Sequence, residues 1–229
     1  MPTSEPEPAL VNLPPTSWAV LAMLSYEEEI SGYDLKKWAD WSLRYFYWSP
    51  SHSQIYSELK KLEQHGLATS RVDADNAMRG RRLYRITDAG REAVTAWHNT
   101  TPVDQPVLKN HVMLRIMFGH LSSPERLKEI LREHIDYVDA IEKRAAVDAE
   151  AAKMEAGWAY SQIVLEWAER YWATQRELAL DLIDRIDAAD AVLRGAEHDE
   201  RRRYASPTPG RWREVEQRVK EQDERPGRG

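Results

Sequence analysis

Ser53, Tyr56, Ser57, Lys60, Lys61 and Gln64 lie in one stretch, Ser49 to Gly66, with the sequence S-P-S-H-S-Q-I-Y-S-E-L-K-K-L-E-Q-H-G. At about 100° per residue, Ile55, Leu59 and Leu62 share a narrow stripe, the pattern of a helix docked on a core. Ser53, Ser57, Lys60 and Gln64 fall opposite that stripe, with Tyr56 and Lys61 on its margins. The outer face therefore offers hydroxyls, an amide and two ammonium groups, which are the groups that meet phosphates and base edges in a major groove. The helix start is marked either by Ser49 with Pro50 in the first turn, or by Ser51 with Gln54 as a capping box; Gly66 marks the stop. A first turn with Ser and His and no acid suits an N-terminus aimed at phosphate. Taken alone, the pattern also fits a surface helix with a solvated polar face, so the flanking elements decide.

Before it, Thr16 to Ser25 is apolar almost all round and predicts a short buried helix. Ser31 can cap a second helix running to about Leu43. Trp38, Trp41, Tyr45 and Trp48 form an aromatic stripe leading toward the 49–66 helix, read as core packing. After Gly66, Leu67–Asp73 and Arg81–Ile86 alternate as strands, with A-D-N-A-M-R-G between them as a hairpin loop. Thr87 then caps a further helix. Helix, helix, helix, hairpin, helix is the order of a winged helix-turn-helix, whose third helix enters the major groove. Arg79, Arg81 and Arg82 sit at the tip and second strand of the wing, where phosphate contacts are expected. Arginine is also common on solvated strand edges.

The motifs G-Y-D-L-K-K, W-S-P-S-H-S-Q-I-Y-S-E-L-K-K-L-E-Q-H-G-L and G-R-R-L-Y-R-I-T-D-A-G-R-E occur in that order. Over about Trp18 to Trp97 they resemble the PadR family of bacterial transcriptional regulators, whose pattern has W-x-P-S, I-Y-x-x-L-x-x-L-E-x-x-G-L and Y-x-I-T-x-x-G. Ser53 is a departure, since the family often carries a small residue or glycine there. The resemblance implies a winged-helix DNA-binding domain over 16–100, preceded by a disordered start at 1–15. It also implies a helical dimerisation domain over 105–195, as in the longer PadR subfamily, so the expected fold class is mainly α with a two-stranded β-wing.

In that second half, Val107–Gly119 predicts a short helix, and Ser122 with Glu125 a capping box opening a long one. Leu127, Leu131, His134, Val138, Ile141 and Ala145 keep a heptad-like spacing. Val164, Trp167, Tyr171, Leu178, Leu182 and Ile186 face a partner on a helix over Trp158–Leu193. Spacing alone allows either an intramolecular bundle or a dimer. The resemblance selects a homodimer, with Leu127, Leu131, Val138, Val164, Trp167, Tyr171, Leu178 and Leu182 at its seam, reading a palindromic operator in double-stranded DNA as a repressor. It also implies release by a small aromatic effector, for which Trp38, Trp48, Trp158, Trp167 and Trp172 are suitable walls and equally ordinary packing residues. The remaining 196–229 reads as a charged, flexible tail in which 211–222 could form a helical turn or two and Arg201, Arg202 and Arg203 could attract DNA.

The net charge of −6 is unevenly placed. Residues 104–200 carry 12 basic and 20 acidic residues, whereas 44–91 carry 9 and 5. A local positive footprint matters more to phosphate than overall charge. With no cysteine, disulfides, thiol chemistry and Cys-ligated zinc are excluded. The longest apolar run, Trp18–Leu24, is far too short to span a bilayer, and the N-terminus lacks signal-peptide character, so a cytoplasmic location with no membrane partner is expected. No two of the 7 histidines are spaced i, i+3 or i+4, and neither G-x-x-x-x-G-K-[ST] nor G-x-S-x-G occurs. The expectation is therefore no enzyme, no metal and no cofactor. The reading from another class is a winged-helix module that binds protein through the same surface.

Overall fold

A computed structural model of the protein describes residues 11–26, 29–73, 81–196, 205 and 207–223. They fall into two compact units, Met1–Leu108 with Ile141–Trp172, and Lys109–Ala140 with Ala173–Gly229.

In the first unit, α1 (Pro15–Leu24) buries Ser17, Trp18, Val20, Leu21, Met23 and Leu24, as a helix apolar on most sides must. The expected disorder over 1–15 does not extend through 11–15. Leu13 is buried in the core, Val11 packs against it, and Pro15 opens α1. Ser31 caps α2 (Gly32–Ser42), its hydroxyl accepting the Asp34 N–H at 3.2 Å. A 3-10 turn, Leu43–Tyr45, leads on toward α3 (His52–Gln64). The aromatic stripe is split between two cores: Trp38 and Trp48 pack on the first, and Trp41 and Tyr45 on the second.

The sheet has one strand more than expected. β1 (Ile30–Ser31) pairs antiparallel with β3 (Arg82–Ile86), which also pairs with β2 (Ala68–Val72), giving the order β1-β3-β2. Thr87 caps α4 (Asp88–Thr100), accepting the Gly90 N–H at 3.0 Å and donating to the Gly66 carbonyl at 2.8 Å. One hydroxyl thus fixes the start of α4 against the end of α3.

The second core of this unit is built from Tyr45, Leu165 and four alanines, Ala145, Ala149, Ala152 and Ala168. Such small side chains let the facing stretches of α6 (Pro124–Ala152) and α7 (Ala159–Gly195) approach closely. Residues 141–172 therefore fall in the same compact unit as the winged helix.

In the second unit, α5 is shorter than Val107–Gly119. It covers His111–Met117, because the Asn110 side chain accepts the N–H groups of Val112 and Met113 and sets the start there. The serine that caps α6 is Ser123 rather than Ser122: Ser123 accepts the Arg126 N–H at 3.2 Å, and Pro124 takes the first helical position. Leu127 and Leu131 pack on Ala179 and Ile186, with Val112, Met113 and Ile116 against them. Lys128 pairs with Asp187 at 2.6 Å and Arg176 with Asp139 at 2.9 Å. The final helix, α8 (Arg211–Asp223), is longer than a turn or two and exposes Trp212, Val215 and Val219. Arg201, Arg202 and Arg203 lie outside the described residues.

Candidate nucleic-acid interface

Of the two starts open to α3, the structure has the second. Ser51 accepts the Gln54 N–H, and the Gln54 side chain accepts the Ser51 N–H at 2.8 Å, a complete capping box. At the other end Gly66 sits at φ 70°, a left-handed conformation that glycine adopts without cost. The Gly66 N–H reaches the Glu63 carbonyl and the Leu67 N–H the Leu62 carbonyl, each at 2.9 Å, so the last turn is closed.

Between these caps Ile55, Leu59 and Leu62 are fully buried. Ser53, Tyr56, Ser57, Lys60 and Gln64 are exposed on the other side. Lys61 differs: it is half-buried, and its ammonium donates to Glu58 at 2.8 Å. Glu58 is buried and also accepts a short hydrogen bond from the buried Ser17 hydroxyl of α1. A buried carboxylate must be partnered, and here a lysine and a serine serve.

Groups not singled out from sequence gather beside the α3 N-terminus. Tyr33 of α2 stacks on His52 with ring centroids 5.5 Å apart, and the Lys37 ammonium lies 4.5 Å from the Tyr33 ring centroid. Tyr56 lies over Gly32, where an added Cβ would stand 2.5 Å from the ring. The G-Y-D-L-K-K motif holds Gly32, Tyr33 and Lys37, but its spacing carries no sign of a stack onto another helix.

On the wing, Arg81 pairs with Asp34 of α2 at 2.8 Å and lies 3.9 Å from Asp73. Arg82 donates to the Ser70 hydroxyl across the β2–β3 ladder at 2.9 Å. Arg79 falls outside the described residues, as does the whole A-D-N-A-M-R-G loop. Arg71 makes two hydrogen bonds to Glu29, at 2.8 and 2.5 Å, and these hold the Glu29 carboxyl below its ordinary pKa.

The residues expected at a dimer seam fall into two sets. Leu127, Leu131 and Val138 are buried within the single chain. Val164, Trp167 and Leu178 are 37%, 50% and 53% exposed, and Tyr171 and Leu182 are half-buried.

A cavity of about 1280 Å³ opens in the first unit, lined among others by Trp18, Tyr26, Trp38, Phe46, Tyr47 and Trp97. Trp18 and Trp97 stack at 5.4 Å, and Trp38 meets Tyr26 edge-on at 5.3 Å. Of the tryptophans considered as effector walls, Trp38 alone lines it. Among the described residues no group of three or more His, Asp or Glu could hold a metal ion, and no helix is long and apolar enough to cross a membrane.

Three helices on a small antiparallel sheet, with the third helix presenting a capped, polar outer face, define a winged helix-turn-helix of the DNA-binding class. Residues 20–96 match the model of the transcriptional regulator PadR-like family. The negative transcriptional regulator PadR of Bacillus subtilis is 31% identical over 121 residues, which take in 52% of this chain and 64% of that protein, just under two thirds of its length. A PadR-like transcriptional regulator from Bacillus cereus superposes with a TM-score of 0.65 at 25% identity, covering 76% of this chain and 99% of its own. Bacillus subtilis PadR superposes in its complex with operator DNA (TM-score 0.65, 24% identity, 74% of this chain and 98% of that one). It does so too in its complex with p-coumaric acid (TM-score 0.60, 24% identity, 75% and 98%). Residues 20–96 thus carry the match to the PadR-like family, and the chain shares its fold with PadR-like regulators.

Proposed function

We propose that the protein is a sequence-specific DNA-binding regulator, acting as a repressor in the form of a homodimer and released from a palindromic operator by a small aromatic effector. The observation that carries this is the outer face of α3. Five polar side chains, Ser53, Tyr56, Ser57, Lys60 and Gln64, stand exposed above a fully buried Ile55, Leu59 and Leu62 stripe on a helix capped at both ends. A helix held this rigidly presents hydrogen-bonding groups to base edges at little ordering cost. In this reading Lys37 and His52 join the phosphate contacts, and Arg79, Arg81 and Arg82 serve from the wing. Arg81 would exchange its Asp34 partner for phosphate. The dimer face is assigned to the exposed members of the expected seam, Val164, Trp167 and Leu178, since Leu127, Leu131 and Val138 are already covered. The aromatic-lined cavity is the effector's place.

The test is fluorescence anisotropy with the DNA immediately upstream of the coding sequence, titrated at several salt concentrations beside a random duplex. A preference of at least roughly 10³ for the upstream DNA with a steep salt slope is expected. Weak, equal binding to both duplexes would favour a protein-binding module instead.

A further inference from the structure

We propose that the cavity of the winged-helix unit selects neutral or cationic aromatic molecules over aromatic carboxylates. The proposal rests on the effector reading above and narrows it to a chemical class.

Seven aromatic residues line the cavity, and its volume of about 1280 Å³ exceeds the roughly 300–1,000 Å³ usual for small-molecule sites. It has room for more than one fused ring. Its polar inventory is lopsided: Asn12, Ser42, Thr101, Gln105 and Ser161 are neutral, Asp104 is a carboxylate, and His98 is the one basic side chain. Neither lysine nor arginine is among the described lining residues. A ligand carboxylate entering such a wall would lose water without gaining a guanidinium or ammonium partner, a costly exchange. The exposed Asp104 adds repulsion. A cation meets the opposite conditions. Indole and phenol rings attract it through their π faces, and Asp104 attracts it through its charge. A neutral ring system meets neither penalty. The relative captured with p-coumaric acid shares the fold at 24% identity, which does not carry its ligand's charge over to this chain.

Three probes of one shape separate the possibilities: 2-naphthoate, 2-naphthamide and 2-naphthylmethylammonium, titrated calorimetrically into the full chain at neutral pH. The ammonium and the amide should each bind at least roughly tenfold tighter than the carboxylate. Asp104→Asn should weaken the ammonium and leave the amide unchanged. Val103 is 95% exposed beside Asp104 and also lines the cavity, so Val103→Arg adds a cation without disturbing the core. It should strengthen naphthoate and weaken the ammonium. Ser161→Trp, which fills the cavity from α7, should remove saturable binding; ammonium binding that survives it would overturn the assignment to this cavity. Naphthoate binding as tightly as the amide, and lost in Ser161→Trp, would overturn the charge preference while leaving the effector reading standing. Failure of all three probes to saturate would overturn both.

Discussion

Lys60 and Lys61 are neighbours of the same type whose surroundings give them different tasks. Lys60 is exposed, whereas the Lys61 ammonium lies 2.8 Å from a buried carboxylate, so only the first has its charge wholly turned to solvent. A phosphate contact releases about one counterion, so Lys60→Ala should weaken binding to every DNA sequence and reduce the magnitude of the log–log salt slope by about 1. Lys61→Ala should change the slope by less and instead lower stability, because Glu58 would keep only the Ser17 hydroxyl as partner in its buried site. Anisotropy against salt, paired with urea melts of each variant, measures both; equal slope changes would show that Lys61 gives up Glu58 for DNA. The outer face of α3 was legible in the sequence because helical periodicity separates Ile55, Leu59 and Leu62 from the polar residues. The division of labour between the lysines was not, because it depends on Ser17, which is 41 residues from Glu58. Periodicity says nothing about contacts at that distance.

Gly90 illustrates how elements are locked to one another. In the first turn of α4 its Cα faces the Leu67 carbonyl, and an added Cβ would stand 2.1 Å from that oxygen and 2.8 Å from Ile86 Cγ1. The obstacle is backbone at the α3–β2 junction, which cannot swing aside as a side chain would. Gly90→Ala should therefore cost about 1–3 kcal/mol or more through overpacking, read as a lower urea midpoint. A variant as stable as the parent would mean that α4 can shift without loss. This is the physical content of the glycine in Y-R-I-T-D-A-G, which the sequence offered only as part of a motif. The caps at Ser31, Ser51 and Thr87 were readable because a short polar residue before a periodic run is a local signal. β1 was not. Two residues make no alternation, and Ile30 and Ser31 become a strand only because β3 lies beside them. The Ser122 assignment failed for a related reason: two adjacent serines both satisfy the local pattern, and the preference of proline for the first helical position decides for Ser123.

Across the whole molecule, heptad spacing on α6 was legible as a buried stripe but silent on what buries it. Leu127 and Leu131 are covered by α5 and α7 of the same chain, and Ala145 belongs to the core that holds Tyr45. Tyr45 donates a short hydrogen bond to Asp148, which Arg144 also approaches at 3.3 Å, so this stretch of α6 carries polar as well as apolar ties. His134 lies on the same stripe, half-buried and stacked on Tyr137 at 6.5 Å, and burial lowers its pKa below the ordinary 6.5. The sign of the pH effect follows. Between the folded pKa and 6.5 the unfolded chain binds a proton that the folded chain does not, so stability rises with pH through this window and is lost as pH falls below 6.5. The chain has 7 histidines in all, so the informative quantity is a difference between two proteins. Thermal melts of the parent and of His134→Gln, taken between about pH 7.5 and 5.5 to stay above most carboxylates, should diverge on acidification, the parent losing more of its Tm than the variant. If the two lose Tm in parallel, the imidazole is equally hydrated in both states, and the burial of His134 contributes nothing to the acid sensitivity of the helical unit.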